Sequence, residues 1–320
     1  MKLICVSESI KLQERKNSDN VHIFTQFFIP SNKHRHDELQ KCLKLNALNR
    51  DVYQIHLLVE KQYSIAELGT SSDKIIQTVI GKRLTFQEVF IYIRTNRIHG
   101  YLILINSDIC FAQTALPNLK RSELHLKKQT LALLRYEFNW TEPNNSVIFG
   151  PRFDSQDTWI LHSNYIVPQN AECIFSFEFG RPGCDNKLIY LMAILGYDVI
   201  NDPHCIQTYH IHHSKQRSYS MKDSLQLPCG VVVPCGVDPI TIKSNLGIDM
   251  KDVHRSTKGF TELMFSDNRV LFNYIQAKVD NNQSFILPRI SGIENNIAVF
   301  ARVIRDKLHN DIDPLKKYIK

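Results

Sequence analysis

Tyr101-Leu102-Ile103-Leu104-Ile105 places five apolar residues in succession and ends abruptly in Asn106-Ser107-Asp108. A run without alternation suits a strand covered on both faces, as at the centre of a parallel or mixed sheet. Neighbouring patterns have the same character. Val21 to Pro30 is a β-branched and aromatic run stopped by proline and reads as a first strand. His36 to Asn49 carries Leu39, Cys42, Leu43, Leu45 and Leu48 at helical spacing. Asp37 and Glu38 are expected in its first turn, where acids favour the helix dipole. Val52 to Val59 reads as a strand ending at Glu60, Lys74 to Ile80 as another, and Thr85 to Arg97 as a helix opened by threonine with Glu88 three residues on. Strands alternating with helices predict a doubly wound α/β sheet with right-handed crossovers.

Further along, Thr130 to Glu137 reads as a strand returning along the sheet, Asp185 opens a hydrophobic helix ending near Gly196, and Tyr197 to Ile200 is another strand. Beyond Ser220 the character changes. Leu227 to Gly236 is expected as an edge strand or a loop packed back on the sheet, and Phe285 to Asn296 as the opening strand and turn of another α/β domain. The expected organisation is one domain over residues 1–220 and a C-terminal extension over 221–320, either a lid or the start of a second domain of a longer polypeptide.

Composition fits a soluble globular protein: 320 residues, 43% hydrophobic and 22% charged. No apolar stretch reaches the about 18–20 residues that span a bilayer, and MKLICVSESIKLQERKNSD turns polar too soon for a signal peptide. A cytoplasmic protein without a membrane span is expected. Eight cysteines with no CxxC pair read as reduced core thiols, which would leave the Asn139-Trp140-Thr141 sequon unused. The formal charge of +7 suits a phosphorylated ligand or an anionic partner. It lacks the clustered basic and aromatic surface of a nucleic-acid binder.

Candidate chemistry sits where strands end. Asp108 would lie at the carboxyl edge of the sheet, where open α/β folds hold nucleotides and a carboxylate can hold a divalent metal on a diphosphate. An Asx-turn or helix cap is the other use of Asn-Ser-Asp. Asp154 and Asp157 beside Trp159 form a candidate sugar platform, an aromatic face for the C–H side of a pyranose with carboxylates for its hydroxyls. A capped turn with Trp159 in the core is the alternative. Asp185 follows a tight Gly-Arg-Pro-Gly turn and by itself reads as a helix cap. His210 and His212 share one face of an extended segment, with Arg217 just beyond. A zinc site from His204, Cys205, His210 and His212 matches no strong spacing.

The order of a strand, the RHDELQKCLKLN helix, the IHLLVE strand, GKRLTFQEVF and ILINSDICF resembles the GT-A-fold glycosyltransferases over about two-thirds of the chain. It is most similar to family 2-like domains of large-virus and algal multidomain proteins. The resemblance implies an α/β fold with a GT-A-like (Rossmann-like) mixed sheet flanked by helices. It implies a nucleoside-diphosphate-sugar donor across the first strands, Mn²⁺ or Mg²⁺ on its diphosphate, and a glycan hydroxyl as acceptor. By position, Phe28 and Pro30 would border the base, Glu60 would contact base or ribose, and Arg83 would support the nucleotide. Asp108 would be the last acid of a variant Asp-x-Asp motif, with Asn106 replacing the first acid and offering an amide oxygen instead. His210 or His212 would supply a further metal contact, and Arg217 would meet the diphosphate.

In inverting enzymes of this fold the base is a carboxylate at the start of the helix below the acceptor loop. Asp185 matches that place, with Asp157 the other candidate. The expected activity is inverting sugar transfer to a glycan. One alternative is an inactive nucleotide-sugar or glycan-binding module, for which Asn106 is the argument. The other is a sugar nucleotidyltransferase, which would show a glycine-rich loop after the first strand where this chain has FFIPSNKHRH.

Overall fold

The computed structural model describes residues 19–142, 145–212, 221–225, 229–236 and 285–289. From the amino end come β1 (Val21–Thr25), α1 (Lys33–Leu48), β2 (Gln54–Val59), the short α2 (Ile65–Leu68), β3 (Ile75–Val79), α3 (Phe86–Thr95) and β4 (Tyr101–Ile105). Then follow β5 (Ile109–Phe111), α4 (Ala115–Arg121), β6 (Gln129–Leu133), β7 (Tyr136–Glu137), β8 (Val147–Ile148) and β9 (Thr158–His162). α5 (Cys184–Ile194), β10 (Asp198–Ile200), β11 (Thr208–His210), β12 (Cys229–Val233) and β13 (Phe285–Arg289) complete the described elements.

A seven-stranded mixed sheet flanked by helices, as expected, is ordered β10-β6-β9-β4-β1-β2-β3. β4 pairs parallel with β1, β1 with β2 and β2 with β3, while β9 runs antiparallel between β4 and β6. The carboxyl ends of β1, β2, β4 and β6 and the start of β9 therefore share one edge. β4 is the fourth of the seven strands, and all five of its residues are buried. Leu102 and Leu104 enter the layer holding Phe86, Phe90 and Trp159, whereas Tyr101, Ile103 and Ile105 enter the layer holding Leu39 and Leu43. Two covered faces explain the unbroken apolar run, each buried large side chain contributing about 1.5–3 kcal/mol.

α1 begins at Lys33, earlier than the apolar spacing indicated, because the Asn32 side chain caps it by accepting from the Arg35 N–H at 3.3 Å. Asp37 and Glu38 therefore fall outside the first turn, which holds no acid. Glu38 is buried instead and accepts from Arg35 at 2.9 Å. α3 starts as its sequence predicts: Thr85 accepts from the Glu88 N–H, and Glu88 accepts from the Thr85 N–H at 3.0 Å.

Tertiary packing corrects two further expectations. The run after β6 does not continue along the main sheet. It turns at Leu134-Arg135 into β7, which joins a second sheet ordered β5-β11-β7-β8. Trp159 is no sugar platform: it lies on β9 at 2% exposure, edge-on to Phe86 with centroids 5.2 Å apart. Cys42, Cys110, Cys184 and Cys229 are buried thiols, but Cys173 and Cys205 are exposed. β12 packs on α5 and pairs antiparallel with β13. Gly230 permits that approach, since a Cβ there would stand 3.4 Å from the Tyr190 backbone. No described helix is long and apolar enough to cross a membrane.

His22 and His56, on adjacent strands, contact through Nδ1 and Nε2 at 3.0 Å, and His56 Nδ1 meets the Tyr92 hydroxyl at 3.2 Å. Burial lowers His22 to about 4, and burial with the neighbouring His22 lowers His56 to about 3, from 6.5 in the unfolded chain. Below pH 6.5 the unfolded state binds more protons than the folded one, so stability falls as pH drops towards 4. At about 1.4 kcal/mol per unit for each group, the loss at pH 5 is on the order of 2 kcal/mol per histidine. Urea unfolding at pH 7.5, 6 and 5 is expected to show this slope, and a His22→Asn/His56→Gln variant to flatten it. An equal slope in the variant would show that other groups carry it.

Candidate functional site

The edge of the main sheet and the small second sheet build the site together. After Ile105 the chain turns through Asn106-Ser107-Asp108, closed by the Ile109 N–H donating to Asn106 O at 3.2 Å, and re-emerges as β5. β11 pairs antiparallel with β5, with His210 opposite Ile109, and the Ile211 N–H donates to Asp108 O at 2.9 Å. β7 lies parallel on the other side of β11, with Glu137 opposite His210. Backbone pairing thus brings together residues about a hundred positions apart.

Asp108, His210 and His212 each offer a ligand atom within 4.8 Å of the others. Nε2 of His210 lies 3.2 Å from Oδ2 of Asp108, and Nδ1 of His212 lies 3.9 Å from the same oxygen. That His212 nitrogen is buried and has no hydrogen-bond partner among the described residues. One carboxylate oxygen and two imidazole nitrogens, one of them orphaned, suit a borderline divalent cation such as Mn²⁺ or Zn²⁺. Among the described residues this is the cluster with metal-ligand geometry; His204 instead meets the Tyr136 hydroxyl at 2.8 Å and does not join it.

The charges are paired. Burial works against the charge on His210, but Asp108 and the hydrogen bond to Glu137 outweigh it and raise the imidazole to about 9. Burial would raise Asp108, yet His210, His212 and Arg35 hold it well below the usual carboxylate range. Arg35 reaches Asp108 from the first turn of α1 at 2.5 Å.

A second polar chain runs along the same edge. The Asn106 side chain donates to Asp157 Oδ1 at 2.8 Å, Asp157 pairs with Arg135, and Arg135 Nε donates to Glu137 at 3.0 Å. Glu137 in turn accepts from His210 Nδ1 at 3.1 Å. Asp185, at the start of α5, accepts the N–H groups of Gln156 at 3.2 Å and Asn186 at 2.9 Å. Burial, then the nearby Asp157 and Asp154, raise its carboxyl to about 7.

Beside this edge lies a cleft of about 260 Å³ lined by Gln26, Phe27, Phe28, Leu58, Glu60, Lys82, Arg83 and Leu84. β1 ends at Thr25, so the chain leaves the sheet there and Gln26, Phe27 and Phe28 form one wall. Gln26 and Phe27 also border a small separate hollow lined by Asn106 and Ser107, the residues that precede Asp108. Arg83 is braced by the Phe179 carbonyl at 2.9 Å.

Of the residues expected from sequence, Phe28, Glu60 and Arg83 meet in the cleft, and Asp108, His210 and His212 meet in the cluster. Asn106 bonds Asp157, and Asp185 lies near Asp157, so these three meet one another. Pro30 is not among the residues lining the cleft. Arg217 lies outside the described residues. Sequence reasoning missed Arg35, Arg135 and Glu137. Arg135 and Glu137 do alternate at strand period, which marks a shared face, but nothing local names the partner strand.

No protein-family model matches the chain, and no curated protein matches it. Among solved structures, 4-diphosphocytidyl-2C-methyl-D-erythritol synthase is similar at 11% identity over 64% of this chain and 95% of that one, with a TM-score of 0.38. GalNAc-T7 with UDP, GalNAc and Mn²⁺ is similar at 8% identity over 62% of this chain and 45% of that one, TM-score 0.42. The mannosyltransferase PcManGT from Pyrobaculum calidifontis, in complex with GDP-Man and Mn²⁺, is similar at 9% identity over 61% and 58%, TM-score 0.41. The chain spans less than two-thirds of the length of the latter two. Likenesses this distant carry no argument about the reaction, and the functional reading rests on the chain's own side chains.

Arg135 holds two carboxylates while only 11% exposed. Arg135→Met, which keeps the stem but strands both acids, is expected to lower unfolding free energy by about 3–5 kcal/mol. Chemical denaturation at pH 7.5 checks this; a loss under about 1 kcal/mol would mean that solvent already satisfies the pair.

Proposed function

We infer that the chain is a GT-A-like glycosyltransferase that moves a sugar from a nucleoside-diphosphate donor to a glycan hydroxyl with inversion. The carrying observation is the Asp108–His210–His212 cluster at the carboxyl edge of the sheet, beside a cleft lined by Phe28, Glu60 and Arg83. Asp108, His210 and His212 would hold a divalent cation, Mn²⁺ in preference to Mg²⁺ because two of the three ligands are imidazoles. Bound there, the metal would orient the diphosphate and offset the charge that develops as it departs.

The remaining roles follow from side chains in hand. Phe27 and Phe28 offer an apolar wall to a base, Glu60 an acceptor to base or ribose, and Lys82 and Arg83 positive charge to phosphate oxygens. Asp185 is favoured over Asp157 as base. Asp157 is paired with Arg135 and accepts from Asn106, whereas Asp185 receives two backbone N–H groups among the described residues and sits near neutrality, where a general base works best. In the step, Asp185 takes the acceptor hydroxyl proton as that oxygen bonds to the anomeric carbon, and the bond from that carbon to the diphosphate breaks.

A second reading has an observation of its own. Arg35 already bonds Asp108, and the Asn106 amide is committed to Asp157, an arrangement that satisfies the charges without a cation. That favours a module that binds a nucleotide-sugar without turning it over.

A thermal-shift screen of UDP-, GDP-, TDP- and CMP-sugars with and without Mn²⁺ tests the first reading, since a ligand of the native state raises its stability. One nucleotide is expected to give a Mn²⁺-dependent shift that Asp108→Ala removes without unfolding the chain. Absence of any shift would discard both donor and metal. Transfer is expected to rise with pH through about 7, as Asp185 ionises. Asp185→Asn should keep the donor shift and abolish that transfer; near-wild-type turnover would move the base role to Asp157.

A further inference from the structure

Glu137 makes no contact expected of a ligand, yet it sits behind the cluster in a defined place. The parallel pairing of β7 with β11 sets it opposite His210. Its carboxylate oxygens lie 3.1 and 3.3 Å from His210 Nδ1, on the far side of the ring from Nε2, which faces Asp108 at 3.2 Å. Arg135 Nε holds Glu137 in turn at 3.0 Å, and the His212 ring stacks on His210 with centroids 5.0 Å apart. An imidazole that donates Nδ1–H to a carboxylate has its ring orientation fixed and keeps Nε2 as the atom able to accept a cation.

We propose that Glu137 is a positioning residue: through His210 Nδ1 it fixes the tautomer and rotation that present Nε2 to a divalent cation shared with Asp108 and His212. His210 then ligates through Nε2, the cation displacing to solvent the proton that this nitrogen shares with Asp108, and His212 ligates through its unpartnered Nδ1, while the Glu137 charge increases the basicity of the ligating ring. The inference rests on the metal-assisted reading above and assigns it a supporting shell that the sequence motif does not contain. Arg135 extends that shell to Asp157 and Asn106, so the turn bearing Asp108 and the strand bearing His210 are held by one chain of hydrogen bonds.

The test uses the full chain and Mn²⁺ alone, with free Mn²⁺ followed by electron paramagnetic resonance and stability measured in parallel by urea unfolding. Glu137→Leu, similar in size but unable to accept, is expected to weaken Mn²⁺ binding about 10–100-fold. Glu137→Gln retains an acceptor oxygen and is expected to recover part of that loss. A merely structural role would lower stability in both variants and leave the Mn²⁺ affinity of the folded chain unchanged. If Glu137→Leu does not fold, Glu137→Ser, too short to reach Nδ1, takes its place in the comparison. Mn²⁺ affinity within about twofold of wild type in the folded variant would overturn the positioning role, since removing such a partner typically costs at least tenfold. If wild type and Asp108→Ala take up Mn²⁺ equally, the metal reading itself fails, and the role of Glu137 fails with it.

Discussion

A carboxylate at the end of a fully buried strand must be paired, and the arrangement of the site follows from how Asp108 meets that demand. An unpaired charge in such a place costs several kcal/mol, so the fold surrounds Asp108 with basic side chains. Arg35 comes from α1, His210 and His212 from the segment after the last core strands. Each partner then needs its own counter-charge. Glu38 takes Arg35, Glu137 takes His210, and Arg135 links Glu137 to Asp157. The result is a continuous polar chain along the sheet edge.

The sheet supplies the rigidity. β4 is buried on both faces, so a one-residue slip would mismatch the packing of both apolar layers and draw the polar Asn106 into the sheet. The turn it delivers is correspondingly fixed. The small second sheet does the complementary work, because β5 follows directly from that turn and accepts β11 along its edge. Two strand pairings of two or three residues each carry His210 to Asp108 and Glu137 to His210. The same edge separates two carboxylates by environment. Asp157 is tied to an arginine and an amide, whereas Asp185 sits at a helix start and is raised by burial and by Asp157 itself. Pairs of acids pushed apart in this way can divide structural and proton-transfer work between them.

What the sequence determined by itself was local. The apolar run of β4, the Thr85–Glu88 capping box, the helix after Gly183 and the acids at element ends were all readable, because periodicity and capping chemistry act over a few residues. Asp108, His210 and His212 were identifiable for the same reason: each stands where a strand pattern ends or shares a face. Tertiary structure alone decided the rest. Trp159 looked available beside two acids, but the packing of β9 against Phe86 and Phe179 buried it. The start of α1 moved because one asparagine cap outweighed the apolar spacing. Arg35, Arg135 and Glu137 acquire their partners through strand register and helix docking between segments 22 to 73 residues apart. Short strands have too few positions to show a period, so the chain could declare where its charges lie but not which of them would meet.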